Sequence, residues 1–251
     1  MTAAPGGGPT VQIVAPAKLT VTLRVTGVRA DGYHLIDAEM VTLELADRLT
    51  ITEGGTGLTA SGPFAAGVPL DDSNLVAKAL RLVGRQAAIH LDKLIPHGGG
   101  LGGGSSDAAA VLRWAGYADL EGAARLGADV SFCLVGGRAR VRGIGEIVEP
   151  LEPTARWFTT VTPPFGCSTP AVYRAWDALG GPRADGPNDL EPAALAVEPR
   201  LAVWRDRIRE ASGVAPSLAG SGSTWFLDGA HPDLATALDD ARVVVTRTDR
   251  P

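Results

Sequence analysis

The sequence predicts an α+β protein. Two patterns carry that expectation. In the first quarter of the chain, apolar and polar residues alternate with period two, as in half-buried strands; farther on, apolar residues recur at helical spacing. Strands come first, then helices, then a mixture, which argues against a repeating βαβ arrangement.

Residues 11–14 form a short apolar run that Pro16 stops. Leu19, Val21, Leu23 and Val25 then alternate with Thr20, Thr22, Arg24 and Thr26, predicting a strand with one buried face. Residues 27–32 read as a turn, and 40–46 and 49–52 as two further strands. Asp72 and Ser73 offer an N-cap to a helix carrying Leu75, Val76, Ala79, Leu80 and Val83 up to Gly84. A strand over 87–94 leads into a glycine-rich run, 96–107. A buried helix over 108–114 follows, then a turn and a second helix over 116–124.

The second half begins near Pro150 and Pro153. It opens on a strand at 157–162, then a helix at 168–179 capped by Ser168 or Thr169, with Pro170 in its first turn. Residues 185–188 read as a loop, 201–211 as an amphipathic helix, and 216–227 as strand, glycine loop and strand. The predicted organisation is a disordered lead-in over 1–9, an N-terminal domain over 10–152 and a C-terminal domain over 153–251.

Composition narrows the function. With 251 residues, 45% hydrophobic and 20% charged, the chain can bury a real core. A net charge of -5 without a basic run argues against binding nucleic acid through its backbone, yet leaves room for one locally positive cleft. The two cysteines, Cys133 and Cys167, have no CxxC spacing, and the four histidines form no metal-binding pair, so no metal ligands are assigned. A reduced, cytoplasmic setting is expected. No apolar run approaches the ~18–20 residues that span a bilayer. Monomer and homodimer are both compatible with the sequence.

The glycine run carries the sharpest signal. Six of the seven residues from 98 to 104 are glycine, with Leu101 the exception. Glycine permits positive φ and lets a ligand approach the backbone. Ser105, Ser106 or Asp107 is expected to cap the helix that follows, where free N–H groups and the helix dipole suit a polyphosphate. A plain linker would not run straight into a capped apolar helix. Gly98, Gly100 and Gly103 satisfy GxGxxG, but the acidic strand end expected about 20 residues later is missing. No lysine follows the last glycine, which excludes a Walker A loop.

The whole arrangement resembles the GHMP kinase superfamily. The segments carrying the match are 15–19 (APAKL), 29–34 (RADGYH), 96–107 (PHGGGLGGGSSD) and 218–223 (LAGSGS). Shorter ones occur at 127–132, 143–146 and 188–191, so the resemblance spans about residues 11 to 227. It implies two lobes, β-rich at the N-terminus and α/β at the C-terminus, with the active site between them. It implies ATP and Mg²⁺, and transfer of the γ-phosphate to an alcohol.

The 29–34 segment resembles the branch that phosphorylates the 2-hydroxyl of a cytidine diphosphate-linked methylerythritol. Carried over by position, Lys18 and Asp129 form the catalytic pair: a carboxylate to accept the hydroxyl proton, and a cation to hold it ionised. The ATP site falls on Pro96, His97, Gly98, Gly99, Gly100, Leu101, Gly102, Gly103, Gly104, Ser105 and Ser106. The substrate site falls on Thr20, Tyr33, His34, Thr169, Tyr173, Gly220, Ser221 and Gly222, with Tyr33 stacking on the base and His34 bonding its edge. Thr20 stands where the family usually has Asn. A superfamily kinase for another alcohol, a silent nucleotide-binding paralogue and, last, an NAD(P) oxidoreductase are the alternatives.

Overall fold

A computed structural model describes residues 8–248. Two long strands, β1 (Thr10–Val28) and β2 (His34–Glu53), pair antiparallel along their whole length. Pro16 does not end a strand, and 40–46 and 49–52 are one strand, not two. The ladder instead absorbs the proline at a register shift between Pro16 and Lys18, where its missing N–H is tolerated. Residues 1–7 of the expected lead-in lie outside the described residues. Gly8 and Pro9 are already part of the ladder: Gly8 N donates to Glu53 O, and Glu53 N donates to Pro9 O.

The short β3 (Leu58–Ser61) precedes α1 (Leu75–Leu82) and β4 (Ala87–Asp92). The cap of α1 is Asn74, one residue beyond the pair expected, and its side chain accepts from Val76 N. Next come α2 (Gly103–Trp114), α3 (Leu120–Leu126), α4 (Val130–Val135), β5 (Arg138–Gly143) and β6 (Ile147–Pro150). The first sheet has the order β3-β4-β2-β5-β6, with β1 also on β2.

The C-terminal part holds β7 (Trp157–Thr162), α5 (Thr169–Ala178), α6 (Glu191–Val197), α7 (Arg200–Ser212), β8 (Ser217–Leu218), β9 (Trp225–Asp228), α8 (Leu234–Ala237) and β10 (Arg242–Arg247). Its strands form an antiparallel sheet ordered β10-β7-β9-β8. The period-two reading passes over β3, β5, β6 and β10, and helical spacing passes over α4, α6 and α8.

The first sheet is covered on both faces. Leu23, Val25, Ala38 and Met40 pack in the core that includes α1, α2 and α4. Ala17, Leu19, Val41 and Leu43 pack in a second core with Leu101, Phe158, Ala219 and Phe226, where the two phenyl rings meet edge to face at 5.9 Å. Each of the larger side chains (Val, Leu, Met, Phe), fully buried, contributes about 1.5–3 kcal/mol. β1 therefore lacks the single buried face its alternation predicts, and Lys18 and Thr20 are buried as well. Along β1 the change from one core to the other and back coincides with register shifts at Pro16/Lys18 and Thr20/Thr22. Such irregularities re-aim a strand's side chains. Lys18 lies between them.

Candidate active site

The glycine run reaches α2 earlier than expected. The helix starts at Gly103, and its N-cap is Gly102 in the left-handed region, φ 69°, with no side-chain cap. Ser105, Ser106 and Asp107 are therefore inside the helix and cap nothing. Glycines can form this first turn because it packs so close to its neighbours that a β-carbon on Gly103 would crowd Ile95 and Asp47. Ser106 Oγ donates to Pro16 O at 2.6 Å, tying the first turn of α2 to β1.

Three of the loop's carbonyls are committed to the protein. Gly99 O accepts from Thr224 N, Leu101 O from Lys18 N at 3.0 Å, and Gly102 O from Ser106 N. The N–H groups of Gly98 to Gly102 donate to no carbonyl or side chain among the described residues. A segment with several acceptors used and its donors free suits an anion.

Behind the loop sits a buried charge cluster. Lys93 Nζ donates to both Asp47 Oδ2 and Asp107 Oδ2. Asp47 Oδ1 also accepts from Leu94 N and Ile95 N. Burial lowers the affinity of the Lys93 ammonium for its proton, but Asp107 and Asp47 outweigh that and its pKa is raised. Burial raises Asp107 to about 7 against the pull of Lys93, and Asp107 Oδ1 has no partner. Two carboxylates around one ammonium hold both ends of the loop.

At the loop's edge, Lys18 Nζ lies 3.1 Å from Asp129 Oδ2, with Lys18 6% and Asp129 31% exposed at the side chain. Lys18 Nζ also donates to Thr20 Oγ1 at 3.1 Å. Thr20 faces Gly220. Cys133, one turn beyond Asp129 on α4, is pushed up to about 12, first by burial and then by the Asp129 charge. It is no nucleophile at neutral pH.

The 220–222 turn packs on the glycine run backbone to backbone. A β-carbon on Gly222 would meet Gly99 O at 2.4 Å and Gly100 Cα at 2.5 Å. Asn188 holds the turn from below, donating to Leu218 O at 3.0 Å and Gly220 O at 2.7 Å. Ser221 Oγ and Thr169 Oγ1 are 2.8 Å apart, which links the turn to α5.

Farther along α5, Tyr173 lies against His34, ring centroids 4.7 Å apart, and burial raises the Tyr173 phenol. Tyr33 is 59% exposed with the Arg29 guanidinium 5.5 Å over its ring. Lys18 thus touches both the glycine run and Asp129, while His34 lies against Tyr173 on α5, whose Thr169 meets Ser221 of the turn. Sequence reasoning missed Asn188 as a brace, Asp177 beside His34, and the Lys93, Asp47 and Asp107 cluster. Only Asp177 left a local signal, four residues after Tyr173 on a predicted helix.

The family model described as the GHMP kinases N terminal domain matches residues 74–137, which include the glycine run and Asp129. A 4-diphosphocytidyl-2-C-methyl-D-erythritol kinase of Paracoccus denitrificans (strain Pd 1222) is 42% identical over 235 residues, 84% of this chain and 84% of its own. The chain belongs to this kinase family. The kinase of the same name from Pelotomaculum thermopropionicum is 36% identical over 96% of this chain and 99% of its own.

Among solved structures, a 4-(cytidine 5'-diphospho)-2C-methyl-D-erythritol kinase aligns over 96% of this chain and 100% of its own, with TM-score 0.75 and 32% identity. A homoserine kinase from Cytophaga hutchinsonii, 16% identical with TM-score 0.63, covers 99% of this chain and 97% of its own and shares the fold alone. The α+β reading and the GHMP kinase fold are borne out. No helix among the described residues is long and apolar enough to cross a membrane.

Proposed function

We propose that this kinase transfers the γ-phosphate of ATP to the 2-hydroxyl of 4-diphosphocytidyl-2-C-methyl-D-erythritol. The observation that carries the reading is the convergence of the Lys18–Asp129 pair on a glycine run whose N–H groups, from Gly98 to Gly102, are free among the described residues. The N–H groups of Gly98 to Gly102 cradle the phosphates of ATP at the start of α2. The substrate hydroxyl enters beside Asp129.

A tertiary hydroxyl is a weak nucleophile, so the carboxylate accepts its proton as the oxygen bonds to the γ-phosphorus. The bond from that phosphorus to the oxygen bridging it to the β-phosphate breaks, and ADP leaves. Lys18, 3.1 Å from Asp129, keeps the carboxylate ionised and faces the charge that develops on the oxygens. Thr20 shares the Lys18 ammonium and borders the substrate's hydroxyls.

The oxygen donors present suit Mg²⁺ accompanying the nucleotide. Ser105 Oγ lies beside Gly127, two residues before Asp129, and the described residues hold no cluster of three ligating side chains. Ser105 and Asp129 would hold the ion together with the phosphates, and it would neutralise phosphate charge. Tyr33 and Tyr173 offer the aromatic faces for cytosine, with His34 at its edge. The four scattered histidines and two free cysteines suit a cytoplasmic enzyme without structural metal.

The test is a phosphotransfer assay on the purified protein with ATP and a panel containing the cytidylyl substrate, homoserine, mevalonate and a sugar. ADP release with the cytidylyl compound alone is the expected result. Turnover confined to another alcohol overturns the substrate, and ATP binding without any turnover overturns the kinase reading.

A further inference from the structure

We propose that Asp177 sets the choice of base by fixing which nitrogen of His34 carries the proton. His34 Nε2 and Asp177 Oδ1 are 2.8 Å apart. An ionised carboxylate only accepts, so Nε2 is the donor and, in the neutral ring, Nδ1 is left as an acceptor. Among the described residues no protein group bonds to Nδ1.

The ring cannot turn to exchange the two nitrogens at little cost. Tyr173 packs on it at 4.7 Å, tilted 38°, and Trp176 meets it edge-on at 5.5 Å. Trp176 is itself held, its Nε1 donating to Pro182 O. Asp177 and Tyr173 are four residues apart on α5, so one face of the helix carries both the ring that packs and the carboxylate that orients. The His34 side chain is 11% exposed, whereas Asp177 is 49% exposed.

The consequence is a reading of position 4 of a pyrimidine. Cytosine presents an amino donor there, and uracil a carbonyl acceptor. An Nδ1 acceptor pairs with the first and opposes the second lone pair to lone pair, so discrimination arises as much from repulsion of uracil as from attraction of cytosine. Without Asp177 the ring is free to carry its proton on Nδ1, the tautomer that accommodates uracil. Asp177 touches no substrate atom in this scheme and is a positioning residue. The inference rests on the reading that His34 meets the base edge.

The experiment compares CDP and UDP as competitive inhibitors of the purified enzyme, and kcat/KM for the cytidylyl substrate and its uridylyl counterpart. It uses the wild type, Asp177→Leu and Asp177→Asn. The wild type is expected to favour the cytidine form at least about tenfold. Asp177→Leu should lower that ratio at least about fivefold, while Asp177→Asn, whose amide oxygen still accepts from Nε2, retains part of it. Equal weakening of both nucleotides in Asp177→Leu, with the ratio intact, overturns the inference and leaves only a structural role. A wild type with no base preference overturns the cytidylyl reading and this inference together.

Discussion

The aliphatic stem of Lys18 lies so close to Gly102 that a β-carbon there would meet Lys18 Cγ at 2.6 Å. One residue caps α2 in the left-handed region; the other carries the ammonium that pairs with Asp129. This contact and the hydrogen bond from Lys18 N to Leu101 O together join the glycine run to the Lys18–Asp129 pair. Gly102→Ala combines that clash with a φ of 69°, at about 1–3 kcal/mol in stability. It is expected to lower kcat at least about tenfold by displacing Lys18. Gly186→Ala, with open space around it, serves as the control and should leave thermal unfolding and kcat unchanged.

Asp129→Asn removes the proton acceptor but keeps the side chain's size. Turnover should drop by about 10²–10⁴, with ATP affinity within a few-fold of wild type in a fluorescence titration. Lys18→Met should lower kcat by a similar factor, because it removes the ammonium beside Asp129 that faces the charge developing on the oxygens. Wild-type turnover in Asp129→Asn would remove the carboxylate from the mechanism.

Asn188→Ala strips two hydrogen bonds from the turn that packs against the glycine run. Leu218 O keeps the Gly220 N–H, whereas Gly220 O is left without its donor, at about 1–3 kcal/mol. The KM for both substrates should rise more than kcat falls, since the turn borders both sites. Denaturant unfolding and steady-state kinetics check the two halves of this expectation.

The buried cluster behind the loop gives stability a pH dependence of its own. Asp107 in the fold is raised to about 7, so between about pH 4 and 7 the folded state holds a proton that the unfolded chain has released. By linkage this group makes stability fall as pH rises through that window. Asp107→Asn mimics the protonated form and lacks that slope. The Tm of Asp107→Asn relative to wild type should climb from pH 5 to pH 8. A constant difference would mean that Asp107 does not titrate there.

Local pattern made much of this protein legible. Period-two alternation located β1 and β2, helical spacing located α1, α5 and α7, and the run of glycines marked the phosphate loop, because each is a short-range property of neighbouring residues. The resemblance to the kinase family implied a shared site for Lys18, Asp129, His34 and Tyr173, and the fold pairs Lys18 with Asp129 and His34 with Tyr173. Capping was less legible: a serine, threonine or aspartate caps only if its backbone stops being helical there, and in α2 the glycines turn first.

Other features arise only when the elements pack. Pro16 stays inside β1 because the pairing with β2 shifts register around it, and such shifts coincide with the change of core that leaves Lys18 buried beside Asp129. Lys93, Asp47 and Asp107 are ordinary charged residues in the sequence, and they become one buried cluster because β2, β4 and α2 close over them. Asp177 meets His34 across 143 residues of chain. Short-range chemistry specified which segments are strands, helices and loops; burial and long-range contact decided which side chains face one another, because neither has a signature in the spacing of residues along the chain.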